Sequence, residues 1–277
     1  MGLSFMIAEV LCAYRMKIRM KWIGLTRAEH IDKAVSFKQQ YRFAKNNVLV
    51  PVCMFELQPA VTLLPLVFVK RGEAYQLCSV LGLEKDNNLF VNEDGSWSMP
   101  FIPSVLKLYP FRSFTNENGD RSLIYDEDSG YVVDRGDGEP LFNRDGSFTE
   151  ILKKNIQLQI NVENSLASSG RACSLLAELE LLIPLEFNFQ RSDGAQVKVE
   201  GLSTIDVNRF REMEEKKFIE LRKTFALELV YAHFYSQGNF NLLINLMKVK
   251  KNSEDNLKNL GLDIFSGEEK DIEFNFT

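Results

Sequence analysis

The sequence predicts an α+β fold: a β-rich N-terminal half with hairpins, a long central helix, a further hairpin and two C-terminal helices. Short apolar runs separated by turn residues fill residues 48–148. Apolar residues then recur at helical spacing over 149–182, and helical spacing returns after 207. Because strand and helix patterns are segregated rather than alternating, α+β is favoured over a doubly wound sheet.

The first strands of the β-rich half are predicted from continuous apolar runs. Residues 48–55 and 61–69 are typical of buried strands, and the polar segment Glu56–Pro59 is predicted to form the turn between them. Residues 74–81 predict a third strand and residues 88–91 a fourth. We therefore expect a meander of four strands in this region.

A turn motif occurs twice in this half. Residues 89–97 read LFVNEDGSW and residues 141–148 read LFNRDGSF. Asp-Gly is a strong turn signal because glycine accepts positive φ without steric cost. The ordinary interpretation is two hairpin turns of the same chemistry, and the alternative is that Trp97 and Phe148 are exposed on rigid turns for a partner.

The segment between the two turns predicts a short helix, two strands and a loop. Pro103 and Pro110 bound a short helix, since proline is accepted at a helix start and stops helix extension. Strands are predicted at 111–115 and 121–126. The acidic, glycine-containing residues 126–140 predict a solvated loop, since they lack the ligand spacing of a calcium-binding loop.

The C-terminal half predicts helices around a hairpin. A helix is expected over 149–182, bent or split near Ser168–Gly170, then a hairpin over 183–206. Helices at 207–223 and 225–248 follow. Three regions result, namely an N-terminal extension at 1–21, a folded domain at 22–249 and a polar, acidic tail at 250–277.

Composition excludes several functions. The net charge is −5 and the isoelectric point is near 5.3, which argues against nucleic acid as a partner. The four cysteines form no Cys-x-x-Cys pair, so a structural zinc site is not expected, and they are interpreted as core residues in a reducing compartment. The cytoplasm is the predicted location, with a cell-surface location through a dedicated export route as the alternative. No cofactor is predicted, because the phosphate-binding glycine motifs do not occur. No metal site is predicted, because the chain has only two histidines and no Cys-x-x-Cys pair.

The N-terminal extension raises one membrane hypothesis. No apolar run approaches the roughly 20 residues that cross a bilayer, so no transmembrane segment is predicted. In residues 1–21, however, an apolar segment precedes four basic residues, a pattern that allows contact with an anionic membrane surface.

Two candidate sites emerge from the side chains. The first is a binding face for a protein or peptide, formed with the turn at Asn92–Ser96 by Trp97, Phe101, Tyr109 and Phe111. The alternative is a catalytic or small-ligand pocket around His233, lined by Tyr231, Asn239, Asp126 and Glu127. The ordinary interpretation of His233 is a core histidine bonded to a carbonyl, and His30 is expected at an exposed helix start.

A series of short motifs follows one another along roughly residues 22–247. The motifs are Val50-Pro51, Phe55-Glu56, Leu64–Phe68, Leu81–Leu83, Asn88–Val91, Asp94–Trp97, Ile102-Pro103, Tyr109–Phe111, Asp126-Glu127, Leu141-Phe142, Tyr231–His233 and Gly238-Asn239. In this order and spacing they resemble the SapC family of bacterial proteins. The family's name derives from a gene cluster associated with a bacterial surface layer, and the family is distinct from the membrane permease of the same name. The resemblance implies an accessory protein associated with a surface layer or with export, and it supplies no catalytic residue. We therefore expect a non-catalytic protein that binds another protein or peptide.

Overall fold

The computed structural model describes residues 21–36, 41–115, 121–190 and 194–259, without the side chains of Thr115 and of residues 252–259. The proposed membrane contact of the N-terminal extension therefore lies outside the described residues, apart from Lys21. The same holds for the end of the predicted tail, from residue 260 onward.

The described ranges form thirteen strands and seven α-helices, which confirms the α+β fold class. The strands are β1 (Trp22–Gly24), β2 (Lys33–Val35), β3 (Leu49–Pro51), β4 (Leu66–Arg71), β5 (Ala74–Val80), β6 (Phe111–Thr115), β7 (Arg121–Asp126), β8 (Val132–Asp134), β9 (Glu139–Pro140), β10 (Leu182–Pro184), β11 (Phe187–Gln190), β12 (Gln196–Val199) and β13 (Leu202–Ile205). The helices are α1 (Arg27–His30), α2 (Leu57–Leu63), α3 (Glu150–Glu178), α4 (Val207–Arg211), α5 (Glu215–Lys223), α6 (Ala226–Ser236) and α7 (Asn239–Asn259).

An antiparallel five-stranded sheet of order β10-β13-β4-β5-β3 lies at the centre of the molecule. Both of its faces are buried, because alternate residues of a strand point to opposite sides. Leu66 and Phe68 of β4 lie in one core with residues of α3 and α6, whereas Val67 between them lies in the other. Burial on both faces explains why these strands read as continuous apolar runs rather than as alternating patterns.

The core that contains Val67 also contains residues of the smaller sheets and of α7. The sheets β1-β7-β6 and β8-β2-β9 and the hairpin β11-β12 supply residues to it. Phe90 and Phe142 of the two repeated turns, together with Leu243 of α7, are buried there. The repeated turns therefore belong to one large core.

The predicted strand at 61–69 is wrong in its first half, and so is the turn at Glu56–Pro59. A 3-10 helix at Met54–Glu56 leads directly into α2, which ends at Leu63. The Glu56 carboxylate caps the start by accepting from the Cys53 N–H at 2.9 Å. Pro59 lies in the first turn of α2, where its missing N–H costs nothing, so the proline does not prevent a helix.

The repeated turn is confirmed as one structure formed twice, although residues 88–91 do not form the predicted strand. Each turn is closed by one isolated bridge, Val91–Trp97 in the first and Phe142–Phe148 in the second. In both turns the Asp carboxylate accepts from the serine N–H at 2.9 Å and from the serine hydroxyl at 2.7 Å. These side-chain bonds close the turn locally, so a full strand pair is not needed.

In the C-terminal half, the helices are interrupted at other positions than predicted. Helix α3 continues without interruption through Ser168–Gly170, whereas the predicted helix at 225–248 divides at Gln237 and Gly238 into α6 and α7. The predicted helix at 207–223 likewise divides into α4 and α5. Helix α7 ends at Asn259, so the predicted tail begins as helix.

The predicted acidic loop is also more ordered than expected, because residues 126–140 contain β8 and β9. These strands pair with β2 on its two sides. Within the described parts of the chain, no helix combines the length and apolar character that a membrane span requires.

Candidate functional site

Trp97 is half-buried and packs against the core rather than projecting into solvent. Its indole N–H donates to the Phe101 carbonyl at 2.9 Å. Its ring packs against Tyr41 and Phe90, with centroids 5.5 and 5.7 Å apart. Phe101 also packs against the core. The alternative in which Trp97 and Phe148 are exposed on their turns is therefore wrong, since Phe148 is also half-buried, against Phe142.

The other two members of the predicted binding face are tied to the interior. The Tyr109 hydroxyl donates to Asp126 Oδ2 at 2.8 Å, and its ring stacks on Phe43 at 4.1 Å. Burial, followed by the neighbouring Asp126 carboxylate, raises the pKa of Tyr109. Phe111 is only 2% exposed, so its side chain offers no surface to a partner.

Asp126, predicted for the alternative pocket, anchors the start of the fold. It is fully buried, and its Oδ1 accepts from the Lys21 backbone N–H at 3.0 Å. Glu127 forms an ion pair with the Lys21 ammonium at 2.5 Å. Lys21, assigned from sequence to the N-terminal extension, is thus bound by both acidic residues.

His233 is a buried structural histidine. Its Nδ1 lies 2.8 Å from the Leu66 carbonyl oxygen, which can only accept, so Nδ1 carries the proton. Its Nε2 is left to accept, from the Thr204 hydroxyl at 2.8 Å and from the Ile205 N–H at 3.4 Å. Burial lowers the pKa of His233 to about 4. Both ring nitrogens are already engaged, as the core interpretation requires.

The residues predicted to line a pocket around His233 do not lie together around its ring. Tyr231 lies two residues away on α6, about 200° around the helix, and is 39% exposed. The Asn239 amide donates to the carbonyls of Val61 and Leu64 at 2.8 and 3.1 Å. Asp126 and Glu127 lie at the end of β7, in a different sheet from the strands next to α6.

His30 was expected at an exposed helix start, and this expectation is wrong. It is 5% exposed, and its Nε2 lies 3.1 Å from the Tyr125 hydroxyl. Its Nδ1 lies 3.0 Å from the Thr26 carbonyl oxygen. His30 is the last residue of α1, and its ring meets that of Tyr125 on β7 edge-on at 5.3 Å.

An aromatic surface lies elsewhere, with two exposed tyrosines on α6 and a half-buried phenylalanine on the neighbouring α4. Tyr235 is 75% exposed, and its ring stacks on Tyr231 with centroids 6.1 Å apart and planes 20° apart. Phe210 of α4 meets Tyr231 edge-on, also at 6.1 Å. We call Phe210, Tyr231 and Tyr235 the α6 aromatic surface. The four-residue spacing of the tyrosines, offset from buried His233, was the sequence signal for it.

Phe225 adds a strained residue at the start of α6. Its backbone is left-handed, with φ 59° and ψ 15°, a conformation that bulky residues rarely adopt. Its side chain is 58% exposed, so burial does not offset the backbone cost. Such outliers concentrate at functional sites, which makes this end of α6 a second feature of the same region.

The three buried cysteines are free thiols, as predicted for core residues. They are Cys53, Cys78 and Cys173. Burial raises the pKa of Cys78 and of Cys173 to about 12, so neither is a thiolate near neutral pH.

Comparison with known protein families gives one result. Residues 25–243 match the model of the SapC family, and because this match covers most of the chain, the protein belongs to that family. A search of curated proteins and a search of solved structures each found no match.

Proposed function

We propose that this chain is a non-catalytic accessory protein that binds another protein or a peptide through the α6 aromatic surface. The stacked, exposed Tyr231–Tyr235 pair carries the proposal. Tyrosine is enriched at binding hot spots because its ring supplies a large contact area at a low entropic cost. This surface replaces the one around Trp97, whose members support the core.

The exposed strain at Phe225 supports the same region. A left-handed conformation costs an L-residue about 1–2 kcal/mol. A partner that covers Phe225 would offset that cost, since the contact is made only in the complex. Phe225 and Tyr231 are separated by six residues, about 9 Å along a helix axis, which lies within one ordinary interface.

The test couples photo-cross-linking with variants of matched exposure. A photoreactive phenylalanine analogue at position 235 of the full chain should capture a partner from native lysate, which mass spectrometry then identifies. The purified partner should bind the parent chain and should lose at least about tenfold in affinity to Tyr231→Ala/Tyr235→Ala.

Phe114→Ala is the matched control, because Phe114 is 47% exposed on β6, away from α6. It should keep parent affinity, and thermal melts should show that all variants fold. Unchanged affinity in the folded double variant would reject the surface. Trp97→Ala is a poor probe, because it also removes core packing and a hydrogen bond.

The proposed setting is a bacterial surface layer or an export pathway, with the cytoplasm as the site of action, or the cell surface if the chain is exported. The family name supports the surface-layer setting, and the free buried thiols support a reducing compartment. Immunodetection in fractionated cells, with a periplasmic and a cytoplasmic marker, tests the compartment.

A further inference from the structure

The outer edge of the chain at residues 182–190 is suited to accept another strand. We call these residues the β10–β11 edge. Strand β10 is the terminal strand of the five-stranded sheet, and β11 pairs with β12 on one side. No strand lies on the other side of either within the described ranges. Strand β10 pairs with β13 and β11 pairs with β12. The Leu185 N–H donates to the Leu202 carbonyl at 2.9 Å, which links the two strand pairs.

The β11 part of this edge has no protection against pairing. Proteins usually protect an edge strand with charge or proline, because its outward N–H and C=O groups are a template for another chain. Pro184 at the end of β10 and Glu186 between the strands serve this purpose, but β11 itself, FNFQ, contains neither a proline nor a charge. Nearby Ile183 is 38% exposed, which adds apolar surface to the same edge.

The chain carries a near-copy of this strand outside the described structure. Residues 185–189 read LEFNF and residues 272–276 read IEFNF, so four of five positions are identical and the fifth exchanges Leu for Ile. Apolar and polar residues alternate in both segments, as a strand with one buried face requires. The copy therefore has the same pattern as the strand that it would join.

We infer that residues 272–276 of the same chain add to β11 as an antiparallel strand. A parallel, in-register pair would place Glu273 opposite Glu186, and like charges in that position are destabilising. An antiparallel pair centred on Asn188 and Asn275 avoids this. It places Phe276 opposite Phe187, Phe274 opposite Phe189, Glu273 opposite Gln190 and Thr277 opposite Glu186.

The face of β11 is suited to the added aromatic residues. Phe189 is 4% exposed, and the Phe187 ring lies 4.3 Å from that of Phe240 at the start of α7. In the antiparallel register, Phe274 and Phe276 extend this row on the same face. Aromatic cross-strand pairs are among the more stabilising pairs in sheets.

The connecting chain is long enough for this arrangement. Helix α7 begins beside β11 and has 21 residues, which span about 32 Å. The following residues, 260–271, cover about 40 Å when extended, so the chain can return along the whole helix. A linker of this length holds the segment at an effective concentration near the millimolar range, which favours its own edge over that of a second copy.

Disulfide formation tests the register in the full chain. With Cys12→Ser to remove the cysteine outside the described residues, Asn188→Cys/Asn275→Cys should form an intramolecular disulfide under mild oxidation by dilute copper–phenanthroline. The matched control, Asn188→Cys/Glu268→Cys, keeps the same linker but moves the thiol outside the strand. The first pair should react at least about tenfold faster, because opposed residues hold their Cβ atoms about 5 Å apart. Equal rates would overturn the inference, and disulfide-linked dimers would assign the edge to a second copy instead.

Hydrogen exchange provides a measurement without new cysteines. Phe274→Ser/Phe276→Ser should accelerate amide exchange in residues 187–190 by about tenfold, whereas Glu268→Ser/Glu269→Ser should not. Both variants change residues outside the described fold, so neither removes a described core contact. The same exchange rates in both variants would contradict strand addition.

Discussion

At the scale of single residues, the buried polar groups of this protein are held by specific partners. Glu56 is 4% exposed, and its two oxygens accept from the N–H groups of Cys53 and Ser104, both at 2.9 Å. It thereby joins the 3-10 helix at Met54–Glu56 to a second 3-10 helix at Ser104–Leu108. Asp126 and His233 are likewise held by hydrogen bonds to specific partners, so the stability of the fold depends on those partners.

His233 should make stability fall in acid. Burial lowers its folded-state pKa to about 4, below the ordinary value of 6.5. The unfolded chain therefore takes up a proton first, and stability that is fully present above pH 6.5 is lost as the pH falls toward 4. The loss should reach about 3 kcal/mol.

The measurement is urea unfolding from pH 7 to pH 4 for the parent and for His233→Gln. The variant is less stable at pH 7 but should lack this component of the pH dependence. Parallel stability curves for the two chains would show that His233 does not titrate in this range.

Tyr109→Phe should destabilise the protein by about 2 kcal/mol, because it deprives the buried Asp126 carboxylate of its hydroxyl donor. Tyr235→Phe is the control, since Tyr235 is 75% exposed and should change stability by less than about 0.5 kcal/mol. Chemical denaturation at pH 7 compares the two. A similar small effect for both variants would mean that the Tyr109–Asp126 bond contributes little.

At the scale of elements, two glycines should respond in opposite directions to the same substitution. A methyl group at Gly170, inside α3, meets nothing within 4 Å, so Gly170→Ala should stabilise the protein by about 1 kcal/mol through helix propensity. A methyl group at Gly82 would lie 1.9 Å from the Asn87 carbonyl oxygen. Gly82→Ala should therefore destabilise by about 1–3 kcal/mol. Thermal melts compare the two variants, and effects of the same sign would contradict the packing around one of these residues.

The sequence predicted those elements whose signals are local. The strands at 111–115 and 121–126, the start of α3 after Thr149 and the two Asp-Gly-Ser turns all follow from short-range patterns. Helix α2 was not predicted, because its capping residue Glu56 and the nearby Pro59 lie in a polar, proline-containing segment that is typical of a turn.

The predicted exposure of some side chains is wrong for a reason of a different kind. Whether an aromatic residue is exposed depends on tertiary packing. The chain alone therefore did not distinguish Trp97, bonded to Phe101, from Tyr235, which projects into solvent. The interpretation of His233 as a core residue is confirmed, because the apolar helical face around it is itself a local signal.

At the scale of the whole molecule, strands distant in the sequence close each sheet. Strand β1 pairs with β7, about a hundred residues later, and β13 pairs with β4. Both cores thus combine residues from the N-terminal and C-terminal halves. We expect the described domain to unfold as one cooperative unit, because neither half completes a core alone.

The N-terminal boundary of this unit lies before the start of the family match at residue 25. Trp22, Ile23 and Gly24 pair with the end of β7, and the Arg112 guanidinium lies 4.4 Å from the centre of the Trp22 ring. The Lys21 N–H is also one of the donors to the buried Asp126 carboxylate. A chain that begins at Leu25 loses all three contacts, whereas a chain that begins at Met20 keeps them.

We therefore expect the chain that begins at Met20 to match the full-length protein in urea unfolding, and the chain that begins at Leu25 to lose at least about 2 kcal/mol. The loss has two sources, namely a buried carboxylate oxygen without its donor and the uncovered edge of β7. Asp126→Asn in both chains separates them, because a neutral amide reduces the cost of the missing donor but leaves β7 unpaired. If the two starts are equally stable, β1 does not belong to the cooperative unit, and the family boundary coincides with that of the fold.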